Sequence, residues 1–69
     1  MTAVLEMVPD DQELDVLAAV ADGCTVHEIA RELSFSDRAV VRILREVTDR
    51  LGARNATQAV AVAARNGWI

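Results

Sequence analysis

Arg38, Val41, Arg42 and Arg45 are spaced so that a helix running through them displays all four on one face. All seven basic residues of the 69-residue chain are arginine, whose planar fork donates paired hydrogen bonds to a phosphate or to guanine. Six of them follow residue 35, where only Asp37, Glu46 and Asp49 oppose them, so that half carries +3. Residues 1–35 set Glu6, Asp10, Asp11, Glu13, Asp15, Asp22, Glu28 and Glu32 against Arg31 alone, or −7. The net charge of −4 repels a polyanion at long range, whereas the local arginine face attracts one. Two other readings stand beside this. An all-arginine set equally reflects genomic base composition, and the i, i+4 pairs Arg42/Glu46, Arg45/Asp49 and Glu46/Arg50 fit an ordinary solvated surface, with pairs weak enough to open on phosphate.

Other chemistry finds little support. No glycine-rich phosphate loop, metal-ligand cluster or nucleophile with a base occurs at a usable spacing, so neither an enzyme nor a cofactor or metal site is expected. Asp11, Asp15 and Asp22 read as the solvated face of a helix. Cys24 is the only cysteine, which excludes an intrachain disulfide, a zinc finger and a redox pair; it reads as a small hydrophobe in a turn, in a reducing compartment. Trp68 reads as a packing anchor, suited to core closure or to a subunit contact. The apolar runs at 16–21 and 59–64 fall far short of the roughly 20 residues that cross a bilayer, and the acidic N-terminus lacks a signal peptide's basic region. A cytoplasmic protein without membrane contact is the expectation.

The elements that must position the arginine face follow from caps and periodicity. With 52% hydrophobic residues, three glycines and one proline, the chain suits one small all-α domain, over 9–69, preceded by an extension at 1–8 that either frays or packs Val4, Leu5 and Met7 on the body. Asp10 three residues before Glu13 predicts a capping box and a first helix at about 11–22, with Leu14, Leu17, Ala18 and Ala21 inward. Gly23 stops it, and Thr25 with Glu28 opens a short helix whose inner face is Val26, Ile29, Ala30 and Leu33. Ser36 caps a third helix at about 37–51, with Val40, Ile43, Leu44, Val47 and Leu51 buried and Arg38, Val41, Arg42, Arg45 and Asp49 opposite. Asn55 opens a fourth at about 56–66. Ala59, Val60 and Ala63 face its core, while Ala61, Val62 and Ala64 leave the other side apolar and imply a second packing partner.

A short helix, a tight turn and a longer helix, buttressed by a preceding one, form a helix-turn-helix, in which the longer element enters the major groove. The run Gly23-Cys24-Thr25-Val26-His27-Glu28-Ile29-Ala30-Arg31-Glu32-Leu33, followed by Ser36-Asp37-Arg38-Ala39-Val40, resembles the LuxR-type (GerE-like) DNA-binding domain. Leu51-Gly52-Ala53-Arg54-Asn55-Ala56-Thr57-Gln58-Ala59-Val60 is similar to that family's ending, so the resemblance covers about Pro9 to Ile69.

The resemblance implies a compact four-helix transcription regulator that binds double-stranded DNA, reads the major groove with its third helix and forms a homodimer through its fourth. By position, Val41, Arg42 and Arg45 would meet base edges. Thr25, His27, Ser36, Arg38, Arg54, Asn55 and Thr57 would contact or approach phosphates, and Ala61, Val62, Arg65 and Trp68 would form the dimer contact. The chemistry agrees: arginine forks suit guanine, and valine suits the thymine methyl. The chain departs from the family pattern towards less positive charge, with Val41 where lysine is common, Val26-His27 where Asn-Lys is common, and Asp49 where a basic or neutral residue is usual. Weak monomer affinity and a shallow salt slope follow. The chain reads as a stand-alone regulator or the DNA-binding part of a longer one. The alternative function is a protein-interaction module on the same skeleton, its acidic first-helix face docking an RNA polymerase subunit or another regulator.

Overall fold

Each helix starts at a side-chain oxygen. The computed structural model describes residues 8–69, so Val4, Leu5 and Met7 lie outside the described residues. Its described helices are α1 (Asp11–Ala21), α2 (Val26–Leu33), α3 (Asp37–Arg50) and α4 (Ala56–Arg65). Asp10, Thr25, Ser36 and Asn55 are the N-caps, each accepting from the backbone N–H three residues on. Such a cap stabilises by about 1 kcal/mol over alanine. Asp10 with Glu13, and Thr25 with Glu28, close both arms of a capping box. In α4 the Gln58 side chain instead accepts from the Arg54 N–H at 2.6 Å. The expected helices are all present, with Asp22, Leu51 and Asn66 serving as C-caps after the last helical residues of α1, α3 and α4.

The helix ends share one turn. Gly23, Gly52 and Gly67 follow α1, α3 and α4 with positive φ, and the next residue's N–H bonds back to a carbonyl in the last turn. After α2 the same left-handed position is held by Ser34 (φ 61°), with the Phe35 N–H donating to the Ala30 carbonyl at 2.8 Å. A side chain with a Cβ is disfavoured there. Ser34→Gly is therefore expected to stabilise the domain by about 0.5–1 kcal/mol. Thermal unfolding should register this as a rise of roughly 2–8 °C. A melting point at or below that of the native chain would refute a net backbone cost at Ser34.

Two hydrophobic clusters hold the helices together. Val16, Ala19, Ile29, Ala30, Val40 and Ile43 join α1, α2 and α3, with Phe35 and Cys24 packed partly against them. Leu17, Val47, Leu51, Ala59 and Ala63 join α1, α3 and α4. Leu44 touches both. The inner face of α1 differs from the expected one: of Leu14, Leu17, Ala18 and Ala21 only Leu17 is fully buried, and Ala21 is exposed. The reason is that α1 lies between the two clusters. Val16 and Ala19 serve one and Leu17 the other, so two flanks are buried where one stripe was expected.

Below these flanks Glu13 is buried, the one polar residue among the described residues in that class. Its Oε1 accepts from the Asp10 N–H at 3.0 Å and from Arg50 Nη1 at the end of α3. That contact holds the Arg50 guanidinium charged, pushing its pKa further up. The expected Glu46/Arg50 pairing is thus replaced, because a buried carboxylate offers Arg50 a partner that water competes for less than for exposed Glu46. The end of α3 is tied to α1 at this point.

Candidate nucleic-acid interface

With Val40, Ile43 and Val47 in the core, helical geometry turns Arg38, Val41, Arg42, Arg45, Glu46 and Asp49 outward, where they line one open groove. Val41 is 41% exposed, in the middle of these charges. Arg42 Nη1 lies 3.6 Å from Glu46 Oε1, with both side chains more than half exposed. An exposed i, i+4 pair of this kind is worth only a few tenths of a kcal/mol, so a stronger acceptor opens it. Arg45 is different: the expected pair with Asp49 does not form, and Arg45 has no ion pair among the described residues. Two guanidinium groups thus differ in readiness on the same face.

The phosphate candidates sit at helix starts. Thr25, Ser36 and Asn55 are the caps of α2, α3 and α4, and His27, Arg38 and Thr57 follow each cap by two residues. Unpaired N–H groups and the positive end of the helix dipole make these positions favourable for an anion. Ser36 Oγ accepts from the Ala39 N–H at 3.1 Å, which leaves its hydroxyl proton to donate outward. Asn55 Oδ1 accepts from the Gln58 N–H at 2.9 Å, which leaves its amide nitrogen to do the same. Arg54 is exposed just before that cap.

Thr25 is more occupied. Its N–H donates to Glu28 Oε1 at 2.8 Å, and this bond, with the Thr25 hydroxyl adding to it, holds the Glu28 carboxyl below its ordinary value of 4.5. A depressed carboxyl stabilises the fold above its unfolded value and loses that contribution as pH falls through the folded one. Melting temperature is accordingly expected to fall below about pH 4.5, with a shallower acid limb in Glu28→Gln. Identical limbs in the two proteins would contradict the capping role of the carboxylate.

His27 faces an acid, which sequence spacing did not reveal. Its Nδ1 is 3.3 Å from Asp37 Oδ1 and 3.4 Å from Oδ2, so the start of α2 is drawn to the start of α3. Ten residues separate the two, across a turn whose geometry no helical period describes. The nearby Cys24 thiol is half-buried on the core, and burial followed by Glu32, Glu28 and Asp22 raises its pKa, which favours the protonated thiol.

The four candidates for a subunit contact lie at the far end. Arg65 is exposed and Ala61 half-buried, while Val62 and Trp68 are packed partly against their own core. The Trp68 backbone N–H also donates to the Ala63 carbonyl at 2.9 Å, which fixes the main chain just after α4.

Comparison with known proteins adds to this geometry. The model of the family described as "Bacterial regulatory proteins, luxR family" (GerE) matches residues 11–63. The chain is 34% identical over 59 residues to "Transcriptional regulatory protein DesR" of Bacillus subtilis (strain 168), covering 86% of this chain and 30% of that protein. It is 34% identical over 58 residues to "Uncharacterized transcriptional regulatory protein YvfU" of the same organism, covering 84% of this chain and 29% of the relative. The chain thus spans less than a third of the length of these relatives. No solved structure matches it.

Proposed function

This chain belongs to the luxR family of bacterial regulatory proteins, and from that premise we propose that it is a sequence-specific, duplex-DNA-binding module of transcription regulation. The observation that carries the reading is the outward face of α3, the longer helix of the helix-turn-helix, where Arg38, Val41, Arg42 and Arg45 share one groove. In this reading α3 enters the major groove, with Val41, Arg42 and Arg45 at the base edges. Ser36, Arg38, Arg54, Asn55 and Thr57 hold the flanking phosphates, with Thr25 and His27 near them. Enrichment from a randomised duplex pool at low salt tests the reading. A recurring motif is expected, in two half-sites about 10 base pairs apart. A pool that stays random would overturn it.

The two half-sites come from a homodimer through α4. Ala61 and Arg65 are accessible there, and Val62 and Trp68 offer a second partner the parts their own core leaves uncovered. Linking two weak readers raises the affinity of each for its half-site. Ala61→Glu is expected to shift the protein to monomer in sedimentation and to weaken duplex binding by about tenfold or more, with helical content unchanged. An unchanged sedimentation profile would remove α4 from the interface.

A further inference from the structure

Val41 is one of two large hydrophobic residues among the described residues that lie well exposed; the other, Ile69, is the last residue of the chain. A single exposed aliphatic side chain is ordinary on a protein surface. Its surroundings are what carry meaning. Val41 lies in the groove formed with Arg38, Arg42, Arg45, Glu46 and Asp49, so an apolar spot is enclosed by groups that hydrogen-bond. A smooth, nonspecific phosphate-binding surface has no use for such a spot. Among the atoms that the major groove presents, the C5-methyl of thymine is the apolar one.

The charges around Val41 set what lies beside that methyl. Arg45 follows by four residues on the same helical face and is without an ion pair among the described residues, whereas Arg42 is drawn to Glu46. On a helix lying in the major groove, residues three to four apart meet neighbouring bases, so Arg45 reaches about one or two base pairs from the pair under Val41. A fork at that position matches guanine O6 and N7. Glu46 and Asp49 repel phosphate in the same groove, which limits how much of the binding can come from backbone charge alone.

Resting on the duplex-binding reading above, we infer that this chain selects a thymine through its C5-methyl at Val41, with a guanine one or two base pairs away read by Arg45. The specificity is this chain's own, because it follows from a valine and, on the same face, an arginine without an ion pair among the described residues.

The test uses the full chain and the duplex enriched from the random pool. Each thymine is replaced in turn by deoxyuridine, which removes only the methyl, and affinity is measured for the native protein and for Val41→Ala. One position per half-site is expected to weaken native binding by roughly threefold to tenfold, with a guanine about one or two base pairs from it. Val41→Ala should bind thymine and deoxyuridine duplexes equally. Val41 is exposed, so this variant keeps the fold, and circular dichroism verifies it. If the duplex binds well but no deoxyuridine position matters, or Val41→Ala keeps the same methyl sensitivity, the inference is overturned while duplex binding stands. If no duplex is enriched at all, both fall.

Discussion

Arg45→Ala is expected to weaken binding to the preferred duplex by roughly 5-fold to 100-fold, the range for losing one bidentate arginine–guanine contact. It should also relax base preference at one position. Arg42→Ala should cost less, because Arg42 must first leave Glu46, 3.6 Å away, before it reaches a base, whereas Arg45 has no ion pair to break among the described residues. Both residues are exposed on α3, so neither change removes a core contact. Fluorescence anisotropy with the enriched duplex and with single-base variants of it separates the effects. Equal losses for the two variants on all duplexes would mean that both arginines contact phosphate rather than bases.

Arg50→Ala should produce the largest loss of stability among the charged residues. Glu13 would keep the Asp10 N–H but lose its guanidinium partner, with its own side chain only 6% exposed. Breaking a fully buried pair costs about 3–5 kcal/mol. Arg50 is 37% exposed, so solvent screens the pair and about 1–2 kcal/mol is the better expectation. For a domain this small, total stability is on the order of 4–10 kcal/mol. The change should lower the melting temperature by roughly 5–15 °C. Most of that loss should persist at high salt, because the carboxylate is sheltered. A melting point within a degree of native would show that the Glu13–Arg50 contact does not hold α1 to α3.

The difference between these two sites explains what a linear chain discloses. The caps at Asp10, Thr25, Ser36 and Asn55 bond to residues three positions on, so helix starts are written locally. The α3 face is local too: Val40, Ile43 and Val47 go inward, and the arginines must then go outward. Glu13 and Arg50 are 37 residues apart, and no periodicity relates them. α1 misleads for a related reason, since Val16 and Leu17 are neighbours in sequence that serve different clusters. Ion pairing on α3 was readable only as a set of possibilities. Arg42/Glu46 forms, Arg45/Asp49 does not, and Arg50 turns to Glu13.

Low net charge should make duplex binding by this chain only weakly dependent on salt. Few arginines on α3 are available to displace counterions, and Glu46 and Asp49 lie among them. Native protein and the double variant Arg42→Ala with Arg45→Ala should be titrated against the preferred duplex at low and at moderate salt, up to high protein concentration. Native binding is predicted with a shallow logarithmic salt slope of about −2 to −4 per protomer. The double variant is predicted to lose on the order of 10²–10⁴-fold in affinity at low salt. Absence of native binding even at low salt, or a double variant that binds as the native chain does, would contradict the assignment of α3 as the DNA-reading helix.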